Sequence, residues 1–258
     1  MVQFMLKENQ SKKKNPTTNF GFKKVGILEK PKLVRDVFDS VAPNYDLMND
    51  LMSLGIHRIW KHALIKKVKL GSTTRVLDVG GGTGDIAFKL FDKKFKNIVI
   101  TDVNNEMLEV GRNRAFDRGI IKAFSWVGGD AEILPFENSS FDVYTTAFCM
   151  RNVTDLNQAL REANRILKPG GQFLCLEFSH VILPSLSKLY DLYSFKLLPL
   201  MGQIFANDKA SYQYLAESIR RFPRQEEFLT LIKDAGLENI SYQNLSGGIV
   251  AIHSAWKL

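Results

Sequence analysis

The run from Arg75 to Asp85, RVLDVGGGTGD, constrains this chain more than any other stretch. Apolar Val76, Leu77 and Val79 flank Asp78, and Gly80, Gly81, Gly82 and Gly84 then crowd around a single Thr83. A β-rich run that ends in glycines is a strand entering a turn whose main chain something must approach closely. Backbone N–H groups bared in such a turn, at the start of a helix, face a bound ligand. The rival pattern is the dinucleotide fingerprint Gly-x-Gly-x-x-Gly/Ala, whose third position packs helix against strand. Counted from Gly80 that position falls on Asp85, which is wrong for close packing. The spacing is instead Gly80-x-Gly82-x-Gly84, with Asp78 ahead of it.

Around this turn the chain has two textures. From Pro31 to Leu70 the apolar residues Leu33, Val34, Val37, Phe38 and Val41 recur at helical spacing, and YDLMNDLMSLGIHRIWKHALIKKV continues as further helix, broken near Gly55. After Gly71, short β-rich runs (TRVLDV, NIVITDV, FSWVGGD, FDVYTTAF, GQFLCLEF) alternate with helical patterns such as Leu156, Ala159, Leu160, Ala163 and Ile166. That alternation predicts an α/β fold: a parallel sheet with helices on both faces. The end of the chain, NISYQNLSGGIVAIHSAW, reads as an antiparallel hairpin at the sheet edge, turning at Ser246-Gly247-Gly248. The expected organisation is a disordered basic tail over 1–19, a helical substrate-side segment over 20–70, and a core over 71–258. A helical insertion at about 180–222, rich in Tyr, Phe and Leu, covers the pocket in this reading.

Two more acids extend the argument. Asp102 closes the second strand, where a carboxylate accepts both hydroxyls of a ribose or simply caps a helix. Asp130-Ala131 follows the third strand, and an acid beside a backbone N–H can grip the amino group and ring nitrogen of an adenine. Three such sites on successive strands suit a nucleoside and do not demand a pyrophosphate. The combination resembles the class I S-adenosylmethionine-dependent methyltransferases, whose seven-stranded sheet also ends in an antiparallel hairpin.

YDLMNDLMSLGIHRIW (45–60) and RILKPGGQFLCLEFS (165–179) narrow the match. They resemble the two signatures of the ubiquinone/menaquinone biosynthesis C-methyltransferase family, and the likeness runs over about residues 18 to 258. YQYLAESIRRFP and FLCLEFS are most similar to its mitochondrial ubiquinone branch. The resemblance implies methyl transfer from S-adenosylmethionine to a ring carbon of a 2-polyprenyl-6-methoxy-1,4-benzoquinol, with demethylmenaquinol as the alternative acceptor. It implies donor contacts from Thr83, Asp102, Asp130 and Ala131; Gly80, Gly82 and Gly84 are expected to meet the same ligand from the bare turn itself. It also implies a peripheral site on the matrix side of the mitochondrial inner membrane (bacterial cytoplasm being the alternative), other ubiquinone-biosynthesis proteins as partners in a complex, and scope for a homodimer. The chain departs from the family pattern where AGGTGD becomes GGGTGD at Gly80, and where a glycine becomes Cys149 in FCMRNV. A serine of some bacterial members is Ala147 here.

A quinol carbon becomes nucleophilic when a ring hydroxyl loses its proton. Phenols ionise near about pH 10, so a site working near neutrality must lower that by about three units, roughly 4 kcal/mol. Arg151 and Asn152, after the fourth strand, are the leading pair: Arg151 to stabilise the phenolate and Asn152 to orient a ring oxygen, or else a surface charge and a helix cap. Tyr45 and His57 are candidates for proton transfer and ring positioning, or for packing. Asp78 either orients the donor's amino acid end or bonds the loop backbone. No metal is expected, because His57, His62, His180, His253, Cys149 and Cys175 form no ligand spacing. The net charge of +8 does not signal nucleic acid, since residues 1–32 carry eight lysines against two glutamates. An RNA methyltransferase and a non-catalytic donor- or prenyl-binding subunit are the rival readings from other classes.

Overall fold

The computed structural model describes residues 16–41, 49, 50, 53, 55–69, 71, 74–182, 188, 190–206 and 208–258. Tyr45 and the tail before Pro16 lie outside them. The chain opens with a two-stranded antiparallel hairpin, β1 (Thr17–Phe20) and β2 (Lys23–Gly26). This corrects the expectation of a tail through residue 19 and helix-forming chain from 20. The turn between the strands is fastened from a distance, because Phe22 N–H donates to Glu217 Oε2 at 2.9 Å across 195 residues of sequence. Helices α1 (Lys30–Val41) and α2 (His57–Lys66) follow.

The core strands are β3 (Arg75–Val79), β4 (Asn97–Asp102), β5 (Phe124–Gly128), β6 (Phe141–Ala147), β7 (Leu167–Phe178), β8 (Glu238–Leu245) and β9 (Val250–Trp256). They form one seven-stranded sheet in the order β5-β4-β3-β6-β7-β9-β8. Pairing is parallel from β5 through β7, and antiparallel between β7 and β9 and between β9 and β8. The expected sheet and its terminal hairpin are both present, with the hairpin's second strand lying inside its first. Helices α3 (Asp85–Asp92), α4 (Asn105–Asp117), α5 (Leu156–Ile166), α6 (Leu198–Ala206), α7 (Lys209–Arg221) and α8 (Gln225–Asp234) cover the two faces.

Through the central parallel strands β3, β4 and β6 both faces of the sheet are largely dry, as a parallel sheet requires, while the edge strand β8 is half open to solvent. On β3 neighbouring side chains serve opposite cores. Val76 joins Ile98, Ile100, Val143 and Leu174 under Trp60 and Leu64 of α2. Leu77 and Val79 join Val99, Tyr144 and Phe173 under Leu160 of α5 and Phe228 of α8. Local polar signals set the helix starts: Asn104 accepts from Met107 N–H at 3.0 Å to cap α4, and Asp155 accepts from Gln158 N–H at 3.0 Å to cap α5. α3 has no side-chain cap, because its N-cap is Gly84.

Candidate active site

The glycine turn joins β3 to α3 and is pinned to the neighbouring strand. Gly81 N–H donates to Thr101 O at 3.1 Å, and Gly82 N–H donates to Asp102 Oδ2 at 2.9 Å. Gly84 sits at φ 86°, and a β-carbon there would approach the Trp126 ring to 2.8 Å, so its bareness is required twice over. Asp102 also accepts from Asn104 N–H at 2.9 Å. Burial pushes its carboxyl above the usual carboxylate range, and these backbone donors draw it only part of the way back. The carboxylate is thus held in one orientation, with lone pairs to spare for a ligand.

Beside the turn, at the carboxyl ends of β3 to β6, lies a cavity of about 140 Å³. Gly80, Gly82, Asp102, Asp130, Ala131 and Asn152 line it, so the structure gathers six of the expected site residues on one wall. The opposite wall is mostly apolar and comes from α1 through Pro31, Val34 and Phe38. Two contacts latch α1 in place: Lys30 Nζ donates to Val153 O at 2.6 Å, and Asn104 Nδ2 donates to Asp39 Oδ1 at 2.6 Å.

Asp78, Thr83, Gly84, Arg151 and His57 stand outside the cavity lining. Asp78 is 1% exposed; its Oδ1 accepts from Thr145 Oγ1 at 2.8 Å and its Oδ2 has no partner. The bond is to the adjacent strand and not to the loop backbone, and burial lifts the carboxyl to about 7. Thr83 Oγ1 accepts from Arg114 Nη1 at 3.0 Å. Arg114 also reaches Asp85, whose other oxygen meets Lys61 Nζ at 2.7 Å. Burial raises Asp85, but these two cations outweigh it and hold the carboxyl at about 2. His57 is buried on α2, with Nε2 2.9 Å from Asp50 Oδ1 and its pKa lowered by burial.

The segment after β6 departs most from expectation. Phe148 adopts φ 61°, a left-handed conformation that bulky residues rarely hold. Its carbonyl accepts from Arg151 Nη1 at 2.5 Å and from Asn152 Nδ2 at 3.4 Å. Arg151 is no surface charge: its side chain is 4% exposed and bonds Glu177 Oε1 at 2.8 Å. Asn152 faces the cavity and accepts from Tyr214 Oη at 3.1 Å. Glu177 and Tyr214 were not singled out from the sequence. One signal for Glu177 was legible, since a lone acid within the buried run FLCLEF must find a cation. The two departures from the family pattern also touch. A β-carbon at Gly80 would overlap the Cys149 thiol, so the larger residue at 149 occupies what the smaller one at 80 vacates.

These features fit the adenosyl donor. The turn admits close approach, Asp102 and Asp130-Ala131 flank one cavity, and beneath the turn, outside the cavity lining, Asp78 Oδ2 is a buried acceptor without a partner that a cation would satisfy.

Known proteins agree. The mouse and Arabidopsis thaliana proteins named 2-methoxy-6-polyprenyl-1,4-benzoquinol methylase, mitochondrial, are 49% and 50% identical to this chain. The mouse match covers 95% of this chain and 86% of the relative, the plant match 93% and 90%. Among solved structures, a SAM-dependent methyltransferase of Thermotoga maritima, described as a possible histamine N-methyltransferase, superposes with a TM-score of 0.64 at 20% identity over 87% of this chain and all of that one. Phosphoethanolamine N-methyltransferase 2 of Haemonchus contortus, in complex with S-adenosyl-L-methionine, gives 0.57 at 18% identity over 76% of this chain and 52% of that one. At these identities the two structures speak for the fold alone. Residues 26–257 match the ubiE/COQ5 methyltransferase family, and the chain belongs to it.

Proposed function

We propose that the protein transfers a methyl group from S-adenosylmethionine to a ring carbon of a 2-methoxy-6-polyprenyl-1,4-benzoquinol, a step of ubiquinone biosynthesis. The observation that carries this reading is the single cavity that sets Gly80, Asp102, Asp130 and Ala131 beside Asn152, under an apolar cover from α1. The donor supplies an electrophilic methyl group on a sulfonium. In this reading Asp102 holds the ribose hydroxyls, Asp130 and the Ala131 N–H hold the adenine, and Asp78 Oδ2 takes the ammonium end. Thr83 adds a hydroxyl already oriented by Arg114.

On the acceptor side, Asn152 has an amide fixed by Tyr214 and Phe148 O, and it orients a ring oxygen. Arg151 lies behind that wall and favours loss of the ring hydroxyl's proton electrostatically. Val34, Phe38, Phe148 and Val153 keep water away from the reacting carbon. The proposed location is the matrix face of the mitochondrial inner membrane, in contact with other enzymes of the pathway. Exposed Leu192, Leu197 and Leu200 give this reading an apolar surface, and among the described residues no helix is long and apolar enough to cross a membrane.

The test is incubation with labelled donor and a short-chain methoxyquinol under reducing conditions, followed by mass analysis. Methyl on a ring carbon is the expected product; methyl on oxygen, or donor binding without turnover, would overturn the assignment.

A further inference from the structure

We propose that Glu177 is a positioning residue for the acceptor, fixing the Phe148–Asn152 turn through Arg151 and offsetting the positive charge that this turn presents to the ring hydroxyl. The inference rests on the methyl-transfer reading above and extends it to a residue outside the cavity.

Glu177 stands near the end of β7 with its side chain 1% exposed, and its carboxylate serves three donors. Oε1 accepts from Arg151 Nη1 at 2.8 Å and from Phe178 N–H at 2.8 Å, while Oε2 accepts from Arg151 N–H at 3.3 Å. Arg151 Nη1 passes the restraint on to Phe148 O. The restraint matters because Phe148 sits at φ 61°, where an unsupported aromatic residue would relax. The same turn delivers Phe148, Cys149, Asn152 and Val153 to the cavity, so a change in Glu177 moves the wall that an acceptor ring meets.

The charge argument is separate. Burial pushes the Glu177 carboxyl up, while the Arg151 guanidinium and the Phe178 and Arg151 N–H donors draw it down; ionised beside Arg151, it offsets part of the guanidinium's field. The other titratable groups that sense this pair are Cys149 on the turn, Cys175 on β7, Tyr190, and Tyr214 on α7. Burial pushes all four up, which keeps them neutral near pH 7. Nothing else in that set offsets the guanidinium. Removing the carboxylate charge therefore strengthens the field at the acceptor and lets a ring hydroxyl ionise at lower pH.

The experiment measures kcat against pH, with saturating donor and a short-chain methoxyquinol, for wild type, Glu177→Gln and Glu177→Asp. Glu177→Gln preserves shape and drops the charge; the alkaline rise in kcat should move down by roughly one pH unit, with donor Kd within about two-fold of wild type. Glu177→Asp keeps the charge but shortens the reach, so kcat should fall about ten-fold or more with the midpoint unmoved. Wild-type kcat and midpoint in both variants would overturn the proposal, as would parallel losses of donor affinity and kcat in both. If Glu177→Gln does not fold, Glu177→Asp alone decides through kcat. A wild-type enzyme that methylates no quinol overturns the parent reading as well, whereas an active wild type with insensitive variants overturns only the role of Glu177.

Discussion

Asp78 shows how much one atom can say about a ligand. Its carboxyl is lifted from 3.8 to about 7 by burial, so between those values the folded protein holds a proton that the unfolded chain has released. The associated stability is complete below about pH 4 and is lost as pH rises through 7. Three pKa units correspond to about 4 kcal/mol. Denaturant titrations should show Asp78→Asn losing markedly less stability than wild type between pH 4 and pH 8. A cationic donor end at Oδ2 favours the ionised acid, so donor binding should tighten through pH 7 and release a proton. Calorimetry in buffers of different ionisation enthalpy measures that release, and Asp78→Asn should abolish it. The Gly80–Cys149 contact predicts a coupled pair. Gly80→Ala should weaken donor binding and stability, and adding Cys149→Gly should recover part of the loss. A residue of about 1 kcal/mol should persist, because φ is 63° at position 80 whatever the space. Additive losses in the double variant would break this account. At this scale the sequence was readable where the requirement is local. The glycine turn, Asp102 and Asp130 are each announced by a strand end and its own punctuation, although the turn is also pinned to Thr101 and Asp102, whereas Arg151 and Asn152 depend on Glu177 and Tyr214, 26 and 62 residues away.

At the level of elements, α1 makes the same point. Its amphipathic spacing was visible in Leu33, Val34, Val37 and Phe38, but what it covers was not, because its latches reach Asn104 and Val153 across long stretches of chain. The β1–β2 hairpin escaped notice for a similar reason: its turn is held by Glu217 of α7. The alternating strands and helices after Gly71 were legible, since period and punctuation are written within each element. The latch of α1 can be tested singly. Asp39→Ala removes one hydrogen bond to Asn104 and leaves the cap of α4 intact, a loss of about 1 kcal/mol. Stopped-flow measurements should find donor dissociation accelerated about five-fold with little change in melting temperature. An unchanged off-rate would show that α1 does not guard the cavity.

Across the whole molecule, charge and topology set different behaviours. Of the net +8, residues 1–32 account for +6. Residues 1–15 hold four lysines against Glu8, a balance of +3, so deleting them should leave C-methylation intact while clearly weakening salt-sensitive binding to RNA or to anionic vesicles, as read by titrations at rising salt. Retention of RNA affinity by the shortened protein would return the RNA reading to contention. The sheet carries a consequence of another kind. Val250–Trp256 slides between β7 and β8, and Val250, Ala251, Ile252 and Ala255 are fully enclosed there. Assembly therefore has a late keystone: a growing or translocating polypeptide keeps one strand margin bare until these residues arrive. A break just ahead of Val250 would leave no half-working enzyme, only a sticky seam inviting other chains and a task for chaperones.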